Sequence, residues 1–150
     1  MSTLKVNELL DTSGNNLDRI GQIKFGSTTS QISTSSSSFV QISSNLNQTL
    51  TPTASSSKFL LLFSTTGQVS GNRARYDVTY SGTGSQLSGA NAMAAFEGSN
   101  INHVVTWSFL HSPNTTSQIT YTPVHLNVNG STIFTGCANI TTFTVIEILQ

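Results

Sequence analysis

Three histidines and a few carboxylates are the side chains of this 150-residue chain that could support catalysis or metal binding. His103 and His111 lie eight residues apart on one face of an alternating segment, about 26 Å in a straight strand, so they cannot share a metal ion. Beyond the first 24 residues the only carboxylates are Asp77, Glu97 and Glu147. A glycosidase needs two carboxylates about 5–10 Å apart. From the spacing of the histidines we predict no metal site within one chain. The alternative is a metal site formed by one histidine and its copies on a threefold axis.

Motifs for nucleophilic catalysis and phosphate binding are equally weak. Serine and threonine are abundant, but none stands in a Gly-x-Ser-x-Gly sequence. The Gly-Thr-Gly at 82–84 lacks the strand–loop–helix context of a phosphate loop. A single cysteine, Cys137, excludes an internal disulfide and is interpreted as a small buried residue. The sequence thus predicts a protein that is not an enzyme and binds no cofactor.

One strand-like segment and the loop after it hold the side chains that could contact a ligand. Residues 73–81 alternate between a charged face and a tyrosine-bearing face. An ion pair within or between subunits is one interpretation of the charged face, and contact with a glycan or polyanion is the other. The Gly/Ser/Asn-rich loop 82–102 follows, and long loops are often functional. The candidate contacts are Arg73, Arg75, Tyr76, Tyr80, Met93 and Phe96.

The composition excludes several classes of partner. Only 12 residues are charged, six of each sign, so the net charge of zero supplies no cationic field for nucleic acid. No apolar run approaches the roughly 20 residues of a membrane helix. Ser, Thr, Asn and Gly make up 70 of the 150 residues. Because β-branched and aromatic residues cluster in strand-length runs, we predict a folded all-β protein with a neutral polar surface.

The runs indicate about eight strands and no long helix. Residues 58–65 are apolar on both faces, which predicts a central strand buried on both sides. Residues 117–128 change their apolar face at Pro123, which predicts a sheet edge or a bulge. The last strand, 140–149, is also apolar on both faces, as expected of a central strand or a subunit interface formed by Val145, Ile146 and Ile148. These features predict a jelly-roll-like antiparallel β-sandwich over residues 25–150.

Residues 1–24 differ from the rest of the chain, because they hold six of its 12 charged residues. Two short apolar-containing runs flank a turn cluster, which predicts a hairpin or arm. A hairpin this short cannot bury a core alone, so it packs on the rest of the chain, another copy or a larger scaffold. The Ser-rich stretch 27–38 that follows is either a linker or an edge strand. The apolar residues of the arm are Leu4, Val6, Leu9, Leu10, Leu17 and Ile20.

Several stretches resemble virion proteins of marine tailed phages, particularly cyanophages, that carry a C1q/TNF-like jelly-roll domain. They are MSTLKVN (1–7), DTSGN (11–15), SSFVQI (37–42), QTLTP (48–52), SSSKFL (55–60), FLHSPNTTS (109–117) and FTVIEI (143–148). The chain departs from the pattern at His111, where an acidic residue is expected, and in loop 82–102.

The resemblance implies an accessory protein on the surface of the phage particle: a tail-fibre, head-fibre or capsid-decoration subunit. It implies a homotrimer that docks to other virion proteins through the arm at 1–24, with no catalytic residues. The alternative is a receptor- or carbohydrate-binding module for host adsorption, whose partner is a cell-surface glycan or protein. Neither alternative involves nucleic acid or insertion into a membrane.

Overall fold

The computed structural model describes residues 19–98, 100–137 and 139–150. These ranges contain 3-10 turns at Ser44–Leu46 and Gly89–Asn91, no α-helix, and strands that form two antiparallel sheets. The prediction of an all-β sandwich is confirmed. The strands are β1 (Ile20–Thr28), β2 (Ile32–Thr34), β3 (Val40–Gln41), β4 (Gln48–Leu50), β5 (Lys58–Val69), β6 (Arg73–Tyr80), β7 (Ala94–Glu97), β8 (His103–His111), β9 (Ile119–Val128), β10 (Ile133–Thr135) and β11 (Thr141–Ile148).

The first sheet is built around the long strand β5. Gly67 of β5 pairs with His103 of β8 on one side and with Thr135 of β10 on the other. Nearer its start β5 pairs with β8 and β11 in the same way. Strands β10 and β11 therefore follow one another along one side of β5, and β2 and β1 lie beyond them. The predicted central position of residues 58–65 is confirmed, and β11 is also an interior strand.

The second sheet has the order β3 and β4, then β9, β6 and β7. The register between β9 and β6 is unbroken over eight residue pairs, so on the β6 side Pro123 forms neither an edge nor a bulge. On the other side of β9, β4 pairs with residues up to Tyr121, and β3 pairs with Val124 and His125. The Pro123 carbonyl accepts from the Ile42 N–H on that same side. Because N–H and C=O of one residue point the same way in a strand, the missing donor faces the gap between β3 and β4.

The core lies between the two sheets and is mainly aromatic and aliphatic. Trp107 stacks on Phe63 with ring centroids 5.2 Å apart, and Phe143 packs against the indole at 6.0 Å. Tyr121 packs on Phe59 at the other end, at 5.9 Å. All of these residues face the space between the sheets, so the hydrophobic effect holds the sheets together.

Part of the expected arm lies in the first sheet. Residues 20–24 belong to β1, and Ile20, Ile23 and Lys24 pair with β11, with a register shift between Ile20 and Ile23. The Ser-rich stretch 27–38 contributes the end of β1 and all of β2, so it forms sheet edge as well as connecting chain. The other apolar residues predicted for the arm, Leu4, Val6, Leu9, Leu10 and Leu17, lie outside the described residues.

Gly26 of β1 passes so close to the 3-10 turn that a side chain has no room. A Cβ there would lie 2.5 Å from the Asn45 carbonyl oxygen and would also meet the Gln48 amide. We expect Gly26→Ala to cost about 1–3 kcal/mol in urea unfolding, because a backbone oxygen cannot move aside cheaply. Gly71→Ala is the control, since its Cβ would meet only the Ser131 hydroxyl at 3.3 Å. Equal losses in the two variants would contradict this close approach.

Candidate functional site

The predicted ligand contacts do not form one site. Tyr76 is fully buried and lies beneath Phe96, with ring centroids 6.1 Å apart. Its hydroxyl lies 3.0 Å from Thr135 Oγ1, across the core. Tyr76 is therefore part of the core and has no surface open to solvent. Tyr80, Met93 and Phe96 are partly buried and pack against the core from the side of β6 and β7.

Arg73 and Arg75 lie on the opposite, outer face of the second sheet. Arg73 forms an exposed ion pair with Glu97 of the neighbouring strand β7. An open cavity of about 650 Å³ lies beside this pair and is also lined by Asn72 and Asn129. The ion pair lies within one chain, which is the first of the two interpretations of the charged face. The cavity beside it is large enough for a small polar ligand.

The loop after β6 is tied to that strand. The Asp77 carboxylate is buried and accepts hydrogen bonds from the Val78 N–H and the Ser88 hydroxyl. Burial raises the pKa of Asp77, while these hydrogen bonds oppose the rise. The Leu87 N–H donates to the Val78 carbonyl. The loop therefore runs along the edge of β6, and its later part forms strand β7.

Glu147 is a buried carboxylate whose partners are hydrogen-bond donors. It accepts from the Thr53 N–H at 2.6 Å, the Thr53 hydroxyl at 3.0 Å and the Gln22 amide at 3.1 Å. Burial alone would raise the pKa of Glu147, but the bonds from Thr53, Ser57 and Gln22 hold it below its usual value. A carboxylate surrounded by donors in this way ties β11 to β1 and to the loop before β5, which is a structural role.

The outer surface of the first sheet is strongly apolar. Directly paired residues in an antiparallel sheet point to the same face, so the register places Ile23, Ile146, Leu60 and Leu110 in one row across four strands. We call this surface the outer apolar face; it consists of Ile20, Ile23, Phe25, Leu60, Leu62, Leu110, Ile146 and Ile148.

Several side chains of the outer apolar face are open to solvent. Ile23 is 61% exposed, Phe25 is 62% exposed and Leu62 is 37% exposed. The expected burial of residues 58–65 on both faces is therefore wrong, because no described segment covers this side of the sheet. Within β11 the two faces separate cleanly: Val145 is buried in the core, while Ile146 and Ile148 belong to the outer apolar face.

Charge is almost absent from the outer apolar face. At the outward positions of β1, β11, β5 and β8, Lys58 is the only charged side chain among the described residues. Threonine and serine occupy the outward positions next to the apolar residues on these strands. The surface is therefore apolar at its centre and, apart from Lys58, polar and uncharged at its rim, like the core and rim of a protein interface.

Comparison with known proteins adds no family. Neither the protein-family models nor the curated proteins give a match to this chain. Within the described ranges, no three His, Cys, Asp or Glu side chains come together as metal ligands. The same ranges contain no helix of the length and hydropathy needed to cross a membrane. The candidate functional site is therefore the outer apolar face.

Proposed function

We propose that the chain is a non-enzymatic structural subunit of a phage particle, a fibre or decoration protein that forms a homotrimer through its outer apolar face. The observation that carries the proposal is the row of apolar residues across four strands, which no segment of the described ranges covers. The virion role is supported by the resemblance of the sequence to phage accessory proteins, and the trimer by the same resemblance.

The size of the outer apolar face suits an interface. Four strands at about 4.8 Å and three rows of outward residues span roughly 400 Å². The largest apolar patch on a typical monomer is about 300–600 Å² and is often functional. A stable interface buries about 800 Å² per partner. The adjoining threonine and serine positions of β11, β5 and β8 supply the remaining area as a polar rim.

A second copy of the chain is the occupant that the charges favour. The outer apolar face offers one lysine and no carboxylate, so it has nothing to select a charged partner. The net charge of the chain is zero, which leaves no long-range repulsion between copies. Apart from Lys58, the described residues of this apolar surface carry no charge that would repel further copies of the chain.

Aspartate substitutions on the outer apolar face are expected to dissociate the assembly. We expect the full chain to have about three times its 16.0 kDa mass in light scattering, and Ile23→Asp and Leu62→Asp to run as folded monomers, because an interface cannot bury an unpaired charge. Ile101→Asp is the control, since Ile101 is 60% exposed but lies outside this face. A monomeric wild-type chain, or dissociation by Ile101→Asp alone, would refute the proposed interface.

Attachment to the particle is proposed to reside in residues 1–18. Deleting them should abolish incorporation into particles while the purified protein keeps its oligomeric mass, because β1 and the outer apolar face remain. Antibody labelling of intact particles would locate the protein on head or tail. Normal incorporation of the protein that lacks residues 1–18 would refute attachment through the arm and would leave the proposed interface unaffected.

The cavity beside Arg73 favours a second candidate, a receptor- or carbohydrate-binding module for host adsorption. Its lining of Arg73, Glu97, Asn72 and Asn129 offers both donors and acceptors to a polar ligand. Glycan-array and host-cell binding by the wild-type chain would support it, with loss of binding in Arg73→Ala. Absence of binding in both assays would leave the structural role alone.

A further inference from the structure

One end of the sandwich interior is polar. His125 and Asn127 of β9 are both fully buried. They lie opposite Tyr76 and Ala74 of β6, whose side chains belong to the core, so the register directs both polar side chains between the sheets. The apolar interior thus gives way to an imidazole and an amide, two residues apart on one strand face.

Part of this polar group is satisfied within the protein. Thr135 Oγ1 of β10 lies 2.8 Å from His125 Nδ1 and 3.0 Å from the Tyr76 hydroxyl. A hydroxyl donates once and accepts as well, so Thr135 can serve both neighbours. Burial lowers the pKa of His125 to about 4, which keeps the ring neutral near neutral pH. Its other nitrogen, Nε2, is then a single donor or a single acceptor, depending on the tautomer.

The remaining polar atoms have no partner among the described residues. They are His125 Nε2 and both side-chain atoms of Asn127, Nδ2 and Oδ1. The backbone N–H of Asn127 is satisfied, since it donates to the Ser36 carbonyl at 2.8 Å. Buried polar atoms in folded proteins are almost always hydrogen-bonded to protein or ordered water, because unpaired burial is costly.

We propose that this end of the core is a binding site for internal water, held between His125 Nε2 and the side-chain amide of Asn127. Residues two apart on a strand are about 6.7 Å apart, a span that one or two hydrogen-bonded water molecules bridge. A chain of this length holds on the order of five buried waters, each with two to four polar partners.

Water suits the site better than an ion. The groups that hold it, the imidazole and the amide, are neutral near pH 7, and so are the Thr135 and Tyr76 hydroxyls on the Nδ1 side of the ring. Arg73 and Arg75 alternate with Tyr76 along β6 and therefore lie on its other face. An ion between the sheets would have no opposite charge beside it and would carry an uncompensated desolvation cost.

Oxygen-17 magnetic relaxation dispersion of the full chain tests the site, because it counts waters that stay bound for longer than nanoseconds. We expect Asn127→Leu to lose at least one such water relative to wild type. Asn102→Leu is the matched control at an exposed asparagine, and it should keep the wild-type count. Equal counts in wild type and folded Asn127→Leu would overturn the proposal.

A high-resolution crystal structure of the wild-type protein keeps the test independent of any variant. The expected result is a water oxygen within hydrogen-bonding distance of His125 Nε2 and of the Asn127 side chain. An Asn127 amide bonded only to protein groups, or an ion at this position, would overturn the proposal. Neither result depends on the oligomeric state or on the virion role.

Discussion

Acidification from pH 6.5 to pH 4 is expected to lower the free energy of unfolding by about 3 kcal/mol through His125 alone. Burial lowers the pKa of His125 from 6.5 to about 4. In this window the unfolded chain carries the proton while the folded imidazole remains neutral. The stability is therefore fully present above pH 6.5 and is lost as the pH falls through the window.

Urea unfolding at pH 7.5 and at pH 4.5 measures this loss. In His125→Gln, the free energy of unfolding should differ much less between the two pH values, by most of that loss of about 3 kcal/mol, because the glutamine amide does not titrate. A residual acid loss should remain from His111, since burial lowers its pKa too, and Asp77 contributes with the opposite sign because its pKa is raised. An unchanged pH dependence in His125→Gln would contradict the buried neutral imidazole.

Replacing Glu147 with leucine is expected to cost about 2–3 kcal/mol, because three part-buried hydrogen bonds to one buried carboxylate are lost at once. The Thr53 N–H, the Thr53 hydroxyl and the Gln22 amide all point at this carboxylate. Glu147→Gln keeps the shape and one acceptor oxygen, so its loss should be smaller, about 1–2 kcal/mol. Urea midpoints at pH 7 measure both variants.

The pH dependence separates Glu147 from His125. The pKa of Glu147 lies below its usual 4.5, so its contribution is complete above that pH and is lost as the pH falls further. The acid loss in Glu147→Gln should therefore be reduced below pH 4.5 and unchanged above it. Equal stability of wild type, Glu147→Leu and Glu147→Gln at pH 7 would show that the donors find other acceptors.

Strong periodicity in the sequence located the long strands well. Residues 103–111 were predicted as a strand and form β8 with the same bounds, since apolar and polar residues alternate throughout. Strand β7 was not predicted, because Ala94–Glu97 lies in a Gly/Ser/Asn-rich stretch and its pairing with β6 supplies the order that local sequence lacks. Short edge strands are set by the neighbouring strand more than by their own residues.

The polar end of the core was not predicted, for a related reason. Strand periodicity places apolar residues on the buried face. The apolar face changes at Pro123, so the same periodicity places Val124 and Leu126 inward. In the structure the register with β6 continues, and His125 takes the inner position instead. Val124 and Leu126 are buried too, on the other face, so both faces of β9 are covered and periodicity carries no signal there.

The outer apolar face had a visible signal but an ambiguous one. Apolar residues on both faces of 58–65 indicated a central strand, and the same pattern in 140–149 indicated either a central strand or a subunit interface. The strands are interior within their sheet, and their second face has no cover from described residues, which is the observation behind the proposed interface. Only the assembled register shows that Ile23 and Leu110 extend the same row.

The pairing of β1 with β11 has a mechanical consequence. Ile20 lies opposite Ile148 and Thr28 lies opposite Thr141, so the start of one strand sits beside the end of the other. A pulling force applied between residues 20 and 148 would separate β1 from β11 one hydrogen-bonded pair at a time, starting from that end. In the proposed assembly, a force applied at residue 20 and transmitted to neighbouring subunits across the outer apolar face would instead be shared by many contacts in parallel. If the proposed fibre role holds, its resistance to tension would come from the assembly rather than from the single chain.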